Sequence, residues 1–252
     1  MRAITDSATM LRRQVTHIWR YPSLIFTFAA VPVVFLLLFV FVLGGTMGAG
    51  IGGGRAAYVG YLAPGIMITT IAGAAQGTAI SVATDMTEGI IARFKTMAIA
   101  RVSVLTGHVL GAMVQTFIAI AAVTLVAVLI GFRPSASALD WLGVVGVLAM
   151  FTFAITWLSV ALALVSKSVT TASNLPMPLM LLPFLGSGFV PTESMPAGLR
   201  WFAEHQPFTP VIETLRALLA GRPAASSFAE AAAWSAVIAV AGYLWARRLY
   251  NR

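Results

Sequence analysis

The sequence predicts an all-α integral membrane protein, and two observations, its composition and the length of its apolar runs, support this fold class. Of its 252 residues, 59% are hydrophobic and only 10% are charged, whereas soluble globular chains carry about 25% charged residues. The apolar residues form long uncharged runs rather than the short alternating segments of a membrane β-barrel. The absence of cysteine excludes disulfides, thiolate metal sites and cysteine nucleophiles. Together these features exclude an ordinary cytosolic enzyme and indicate helices that cross a bilayer.

Residues 1–22 are predicted to form an amphipathic helix on the inner surface of the membrane. Within Asp6–Arg20, apolar side chains and arginines recur at helical spacing, a pattern typical of helices that lie on anionic lipid headgroups. A frayed polar terminus is the alternative. Pro22 is expected to end this helix where the chain turns into the bilayer.

Six segments are long and apolar enough to cross about 30 Å of hydrocarbon, which takes about 20 helical residues. They are residues 24–43, 58–83, 105–130, 141–165, 175–189 and 228–246. The fifth segment is short and rich in proline, and the sixth has Glu230 near its start. The first is expected to stay as an anchor, because its apolar run exceeds a signal-peptide core and no A-x-A site follows it. The glycine-rich residues 44–54 are predicted to be a flexible connector.

The basic residues set the expected orientation, because lysine and arginine resist translocation. With both termini inside, most of the 16 basic residues lie on the cytoplasmic side. The exceptions are Arg55, Arg133, Arg200, Arg216 and Arg222. The sequence therefore predicts a multi-pass protein of the bacterial inner membrane with cytoplasmic termini.

Two stretches between the predicted spans hold more apolar residues than simple loops need. Residues 84–101 face the cytoplasm and run from acids, Asp85 and Glu88, to bases, which complements a helix dipole. They are expected to form a short helix that lies on the bilayer or docks on another protein; a charged loop that only enforces topology is the alternative. Residues 190–227 face outward, and their prolines and aromatic side chains indicate interfacial helices that re-enter before the last span.

The sequence lacks the phosphate-binding loop of ATPases and the zinc motif of metalloproteases. No G-x-x-x-x-G-K-[ST] or H-E-x-x-H sequence occurs, and His17, His108 and His205 lie in separate segments, where each is expected to be interfacial or solvated. We therefore predict a chain that is not an enzyme and holds no cofactor or metal. An intramembrane hydrolase built on Ser187 is an alternative of a different class.

The driving energy for any transport is expected to come from another protein. No acid lies in the middle of a predicted span, whereas ion-coupled carriers usually place a carboxylate there to bind the coupling ion. An ion-coupled carrier that works alone is the alternative. No nucleic-acid partner is predicted.

Polar side chains inside the spans are candidates for the transport pathway or for helix packing. Gln76 and Gln115 should meet a partner helix or the pathway, because an unpaired amide is costly in hydrocarbon. The hydroxyls of Thr69 and Thr156 can bond carbonyls of their own helices. Packing is expected to be the commoner role.

Several short motifs occur in a characteristic order along nearly the whole chain. They are Arg20-Tyr21-Pro22-Ser23, Tyr61-Leu62-Ala63-Pro64-Gly65, Asp85-x-x-Glu88-Gly89, Gly188-Phe189-Val190-Pro191, His205-Gln206-Pro207-Phe208-Thr209-Pro210 and Glu213-Thr214-Leu215-Arg216. In this order they resemble the ABC-2 type permeases, the membrane subunits of ATP-binding-cassette exporters, and most closely the daunorubicin/doxorubicin-resistance-like drug efflux branch. Two departures are Met97–Arg101, where the family often has a proline, and Gln206, where it often has asparagine.

The resemblance implies roles for two sets of residues. Residues 84–101 would be a coupling helix that docks on a separate ATPase through Asp85, Glu88, Gly89, Arg93, Phe94 and Lys95. The outer helices before the last span would be marked by Pro191, Pro207, Glu213 and Arg216.

The resemblance also implies partners. Residues 1–252 would be a single permease domain that pairs with a second, like or unlike, permease in membrane lipid. Two copies of the ATPase would use ATP and Mg, which this chain does not itself bind. The uncharged membrane surface favours a hydrophobic or amphipathic cargo, a drug or a lipid; a polysaccharide or lipid-linked glycan is the alternative.

Overall fold

The computed structural model describes residues 22–89 and 101–250, with side chains for residues 28–89 and 104–250, and within these residues every regular element is helical. The helices are α1 (Pro22–Leu38), α2 (Gly44–Ile51), α3 (Gly54–Thr87), α4 (Arg101–Leu129), α5 (Ala138–Val165), α6 (Val169–Asn174), α7 (Met177–Leu181), α8 (Ala197–His205), α9 (Phe208–Leu219) and α10 (Ala225–Tyr250). A π-helical turn, Phe39–Leu43, joins α1 to α2, and a 3-10 turn, Thr192–Ser194, precedes α8. The predicted amphipathic helix lies outside the described residues, apart from Pro22.

Five helical stretches of the described chain are long and apolar enough to span a membrane. They are Phe28–Ile51, Gly54–Thr87, Val104–Leu129, Ala138–Val165 and Ala225–Tyr250. These stretches correspond to five of the predicted segments, and the all-helical prediction is confirmed for the described residues. The predicted count of six spans is not confirmed.

Residues 175–189 do not form the continuous helix that the apolar run suggested. The helix α7 covers only Met177–Leu181, and turns follow up to residue 190. Prolines at 176, 178 and 183 remove backbone N–H donors, and the glycines at 186 and 188 add backbone freedom, so the segment cannot sustain a regular ladder of hydrogen bonds. We refer to residues 182–190 as the interrupted segment.

The expectation of a flexible connector over residues 44–54 is wrong, because most of this stretch is the helix α2. At Gly48 the backbone of Gly54 and Arg55 comes so close that a Cβ atom would collide with it. The helix then ends at Gly52, whose φ of 82° suits a glycine. The glycines therefore allow α2 to pack tightly against the start of α3.

The helices α3 and α5 form the centre of the bundle. In each of them 67% of the most apolar stretch is buried, against 22%, 28% and 17% for the first, third and fifth candidate spans. The helix α5 starts with a capping box, in which Ser137 Oγ accepts from the Asp140 N–H at 3.2 Å and Asp140 Oδ2 accepts from the Ser137 N–H at 2.8 Å. The less buried helices expose apolar side chains that need lipid or another chain to cover them.

Within the described residues, two hydrophobic cores hold the bundle together. The larger core joins α3, α5 and α9, and in it the rings of Phe151 and Phe208 meet edge to face with centroids 5.0 Å apart. The second lies where α3 and α5 end and α4 begins, and it also includes the end of α10. There a Cβ atom on Gly242 would lie 2.7 Å from the Leu158 nitrogen, so glycine permits the close crossing of α5 and α10. We call the end of the bundle that holds the second core the α3–α4 end, and we call the second core the α3–α4 core.

Candidate functional site

The first candidate site is the α3–α4 end, which carries the predicted coupling residues. The helix α3 continues to Thr87, so Asp85 lies in its last turn and does not begin a new helix. The predicted boundary at residue 84 is therefore a few residues early, because the chain contains no helix breaker before Gly89. Gly89 takes a φ of 72°, and the Glu88 N–H still donates to the Thr84 carbonyl at 2.9 Å. Arg93, Phe94 and Lys95 lie outside the described residues.

The carboxylate of Asp85 contacts His108 of α4. Asp85 Oδ2 lies 3.1 Å from His108 Nε2, and the two side chains are 13% and 5% exposed. Polar groups in such a poorly solvated place interact more strongly than they do in water, so separating them would be costly. The expectation that His108 is interfacial or solvated is wrong. Glu88, in contrast, is exposed.

The Asp85–His108 contact sits at the edge of the α3–α4 core. On α3, which also carries Asp85, Val82 belongs to this core and Met86 packs against it. On α4, the core includes Leu105 and Val109, which flank His108. The sequence analysis missed this contact, because it placed Asp85 in a separate short helix and not at the end of the span that packs beside α4.

The second candidate site is at the opposite end of the bundle, around Arg216 of α9. Arg216 Nη1 donates to Glu213 Oε1 at 2.6 Å, and Nη2 donates to the Ser187 carbonyl at 2.6 Å and to the Tyr61 carbonyl at 3.3 Å. The guanidinium carbon lies 3.8 Å from the centroid of the Tyr61 ring. The Tyr61 hydroxyl donates to the same Ser187 carbonyl at 2.9 Å. We call these four residues the Arg216 cluster.

A second set of contacts holds the interrupted segment from the start of α9. Gln206 Nε2 donates to the Leu182 carbonyl at 3.0 Å and to Thr209 Oγ1 at 3.2 Å. The Ser187 N–H donates to Thr209 Oγ1 at 3.4 Å. Side chains thus satisfy backbone groups that a continuous helix would have paired.

The interrupted segment also packs against α3 and α1. A Cβ atom on Gly65 would collide with the backbone of Gly188, so two glycines let the chain segments touch. The rings of Phe184 and Phe189 stack at 4.2 Å, and Phe39 of the π-helical turn lies 4.8 Å from Phe189 between centroids. These contacts anchor the segment on both sides.

Motifs that are distant in sequence therefore meet at this end. Four of the sequence motifs contribute to the Arg216 cluster and the interrupted segment or lie directly beside them: Tyr61 to Gly65, Gly188 to Pro191, His205 to Pro210 and Glu213 to Arg216. Pro207 precedes α9, with a φ of −65°, and Pro191 follows the interrupted segment and is half-buried. The sequence predicted Glu213 and Arg216 only as markers of the outer helices; the contact of Arg216 with Tyr61 and the bonds from Gln206 to Leu182 and Thr209 were not predicted.

Ser187 lacks the surroundings of a nucleophile. Its Oγ is buried and makes no hydrogen bond within residues 22–89 and 101–250. His205 is exposed, its Nδ1 lies 2.8 Å from the Trp201 carbonyl, and its ring stacks on Trp201. His108 is at the other end of the bundle. A serine nucleophile needs a base within hydrogen-bond reach, and the described histidines do not supply one.

The polar side chains inside the spans differ in their contacts. Gln76 Nε2 donates to the Ser173 carbonyl at 2.9 Å and so links α3 to α6. The hydroxyls of Thr69 and Thr156 donate to carbonyls of their own helices at 2.9 and 2.6 Å, as hydroxyls in apolar helices commonly do. Gln115 is half-buried and makes no hydrogen bond within the described chain. Gln115 therefore has its whole amide, and Gln76 its Oε1 atom, left for a ligand or another chain.

The region that contains these two sites is similar to known proteins. The family model described as ABC-2 type transporter matches residues 6–220. The chain is 26% identical over 223 residues to the daunorubicin resistance ABC transporter permease protein DrrB1 of Streptomyces coeruleorubidus. The aligned region covers 85% of this chain and 77% of that protein. The chain is 24% identical over 162 residues to the probable doxorubicin resistance ABC transporter permease protein DrrC of Mycobacterium tuberculosis, over 64% of this chain and 59% of that protein. Since the match includes both candidate sites and most of the helical bundle, the chain belongs to the ABC-2 type transporter family.

Proposed function

We propose that this chain is the permease subunit of an ABC exporter that carries a hydrophobic or amphipathic drug or lipid outward across the bacterial inner membrane. The observation that carries the proposal is the family match over residues 6–220. The names of the two relatives, which refer to daunorubicin and doxorubicin resistance, support a drug as cargo. A permease without a phosphate-binding loop needs a separate ATPase, which would use ATP and Mg.

The proposed topology has six crossings and both termini in the cytoplasm, with residues 175–189 as an interrupted fifth crossing. Non-helical backbone is tolerated at membrane depth only where protein satisfies its polar groups. The contacts from Gln206 and Arg216 to the carbonyls of Leu182 and Ser187 meet this requirement. In this topology the α3–α4 end faces the cytoplasm, and α8 and α9 are the outer helices.

The proposed assembly is a pair of permeases over two copies of the ATPase. In the most apolar stretch of the first, third and fifth candidate spans, only 22%, 28% and 17% of the length is buried in the single chain, which leaves room for a second permease as well as lipid. Residues 84–101 would dock on the ATPase, and the exposed Glu88 and the predicted docking residues Arg93, Phe94 and Lys95 would make the contact. ATPase closure would then push this segment and tilt α3 and α4.

The test begins with co-expression of the tagged chain and the ATPase encoded beside it. We expect the ATPase to co-purify, and inside-out vesicles that contain both proteins to accumulate daunorubicin only with ATP. Charge reversal by Glu88→Lys should weaken the association about tenfold. The matched control is Glu204→Lys, an exposed acid on α8 at the opposite end, which should leave the association unchanged. Failure of the wild-type chain to bind the ATPase, or ATP-independent accumulation, would contradict the proposal.

Cargo assays separate the remaining alternative within the same architecture. Vesicles that ignore daunorubicin and accumulate a lipid-linked glycan with ATP would identify a glycan exporter. Transport driven by an ion gradient in the absence of any ATPase would identify a carrier that works alone.

A further inference from the structure

We propose that Asp85 and His108 form a positioning contact inside the permease, which passes motion of the docking segment to the helical bundle. Asp85 would then act through His108 rather than by touching the ATPase. This inference rests on the proposed function and refines the role of one predicted docking residue. Its basis is the 3.1 Å separation of Asp85 Oδ2 and His108 Nε2 and the low exposure of both side chains, 13% and 5%.

The position of the pair explains what it would do. The docking segment, residues 84–101, connects α3 to α4 along the chain, so its two ends belong to the end of α3 and the start of α4. Asp85 lies in the last turn of α3, and His108 lies about two turns into α4. The contact therefore ties one of these helix ends to the other, and a push on the segment cannot turn α3 without moving α4.

The α3–α4 core extends this connection to the rest of the bundle. Next to the pair, Val82 and Leu105 pack in the same cluster as Val160 of α5 and Ala246 of α10. Apolar contacts of this kind resist separation but allow sliding, because they have no preferred direction. A close polar contact has a preferred separation, and sliding α3 past α4 would pull apart two poorly solvated polar groups, so the 3.1 Å contact favours one register of the two helices. The pair thus supplies rigidity that the core alone lacks.

The experiment uses the complete permease–ATPase complex in proteoliposomes and measures two quantities, ATPase association and molecules transported per ATP hydrolysed. In Asp85→Asn and His108→Asn, we expect association within about twofold of wild type but transport per ATP lowered by about fivefold or more. The charge-swapped variant D85H/H108D should recover at least half of the lost transport per ATP, since it restores the contact. Glu88→Lys, in contrast, should lose association.

A second variant covers the case in which the single variants fold poorly. The chain has no cysteine, so D85C/H108C can be bridged selectively by a short bifunctional thiol reagent, and bridging should raise transport per ATP relative to the unbridged protein. Reduced ATPase association in Asp85→Asn but not in His108→Asn would overturn the proposal and assign Asp85 to the docking surface. Unchanged transport per ATP in His108→Asn would overturn it as well. If the wild-type complex does not assemble, the proposed function fails instead.

Discussion

The guanidinium of Arg216 lies 3.8 Å from the centre of the Tyr61 ring, and both residues donate hydrogen bonds to one carbonyl oxygen, that of Ser187. One acceptor in the interrupted segment is thereby bound to both α3 and α9. The segment lacks a regular ladder of backbone hydrogen bonds, so side chains from its neighbours take over that role. Its conformation should consequently depend on a few identifiable residues.

Replacement of Arg216 should destabilise the folded protein more than loss of an ordinary ion pair would. Arg216→Ala removes two hydrogen bonds to carbonyls and the contact with the Tyr61 ring, at an expected cost of about 2–4 kcal/mol. Arg216→Lys should recover only part of this, because an ammonium cannot reproduce the planar fork of donors. Thermal unfolding in detergent, followed by size-exclusion chromatography, measures both effects.

The matched control for Arg216 is Arg200. Arg200 pairs with Glu204 at 2.8 Å, but these side chains are 46% and 39% exposed, against 12% for Arg216. Arg200→Ala should change the free energy of unfolding by at most about 1 kcal/mol, as expected for a solvated pair. If Arg216→Lys matched wild type, the fork geometry would not matter and the charge alone would explain the site.

The Tyr61 hydroxyl and ring should contribute separately. Tyr61→Phe keeps the ring under the guanidinium and removes only the hydroxyl that donates to Ser187, so we expect a loss of about 1 kcal/mol. Tyr61→Ala also removes the ring and leaves a cavity, so about 3 kcal/mol or more should be lost. A double-mutant cycle of Tyr61→Ala with Arg216→Ala measures their coupling directly. Strict additivity would mean that the stacked geometry contributes nothing.

Two glycines of α3 should respond in opposite ways to alanine. At Gly65 a Cβ atom would lie 2.8 Å from the Gly188 Cα, so Gly65→Ala must push the interrupted segment away and should cost about 1–3 kcal/mol. At Gly73 nothing lies within 4 Å of the same atom, and Gly73→Ala should be neutral or stabilising by up to about 1 kcal/mol. Equal destabilisation by both variants, measured by thermal unfolding, would contradict the close approach of α3 and the segment.

The sequence could predict the helices because long apolar runs determine them locally. It failed at residues 44–54 and 175–189, where composition and structure disagree for opposite reasons. In the first stretch, the high glycine content predicts flexibility, whereas at Gly48 the small size of glycine allows close packing. In the second, high hydropathy predicts a continuous helix, although the prolines prevent one. The composition of a stretch shows how apolar or how flexible that stretch can be, but it does not show which backbone geometry the stretch adopts.

The sequence predicted part of the membership of the candidate sites and none of their pairings. The resemblance of its motifs to a family picked out Asp85, Glu213 and Arg216. Their contacts join residues far apart in the chain, such as Tyr61 with Arg216, and single-sequence periodicity carries no information on such pairs. His108 was missed because a lone histidine in an apolar run gives no sign of its partner.

Replacement of Ser187 distinguishes transport from hydrolysis by stability as well as by activity. The Ser187 Oγ is buried, and it has no hydrogen-bond partner in the described part of the chain, so this hydroxyl lost its hydration without compensation. Ser187→Ala keeps the backbone carbonyl that Arg216 and Tyr61 bind, and it should unfold at the same temperature as wild type or at a higher one. ATP-dependent daunorubicin accumulation should be retained. An intramembrane hydrolase would lose its nucleophile and all activity, whereas a pathway role for the hydroxyl would lower transport at unchanged stability.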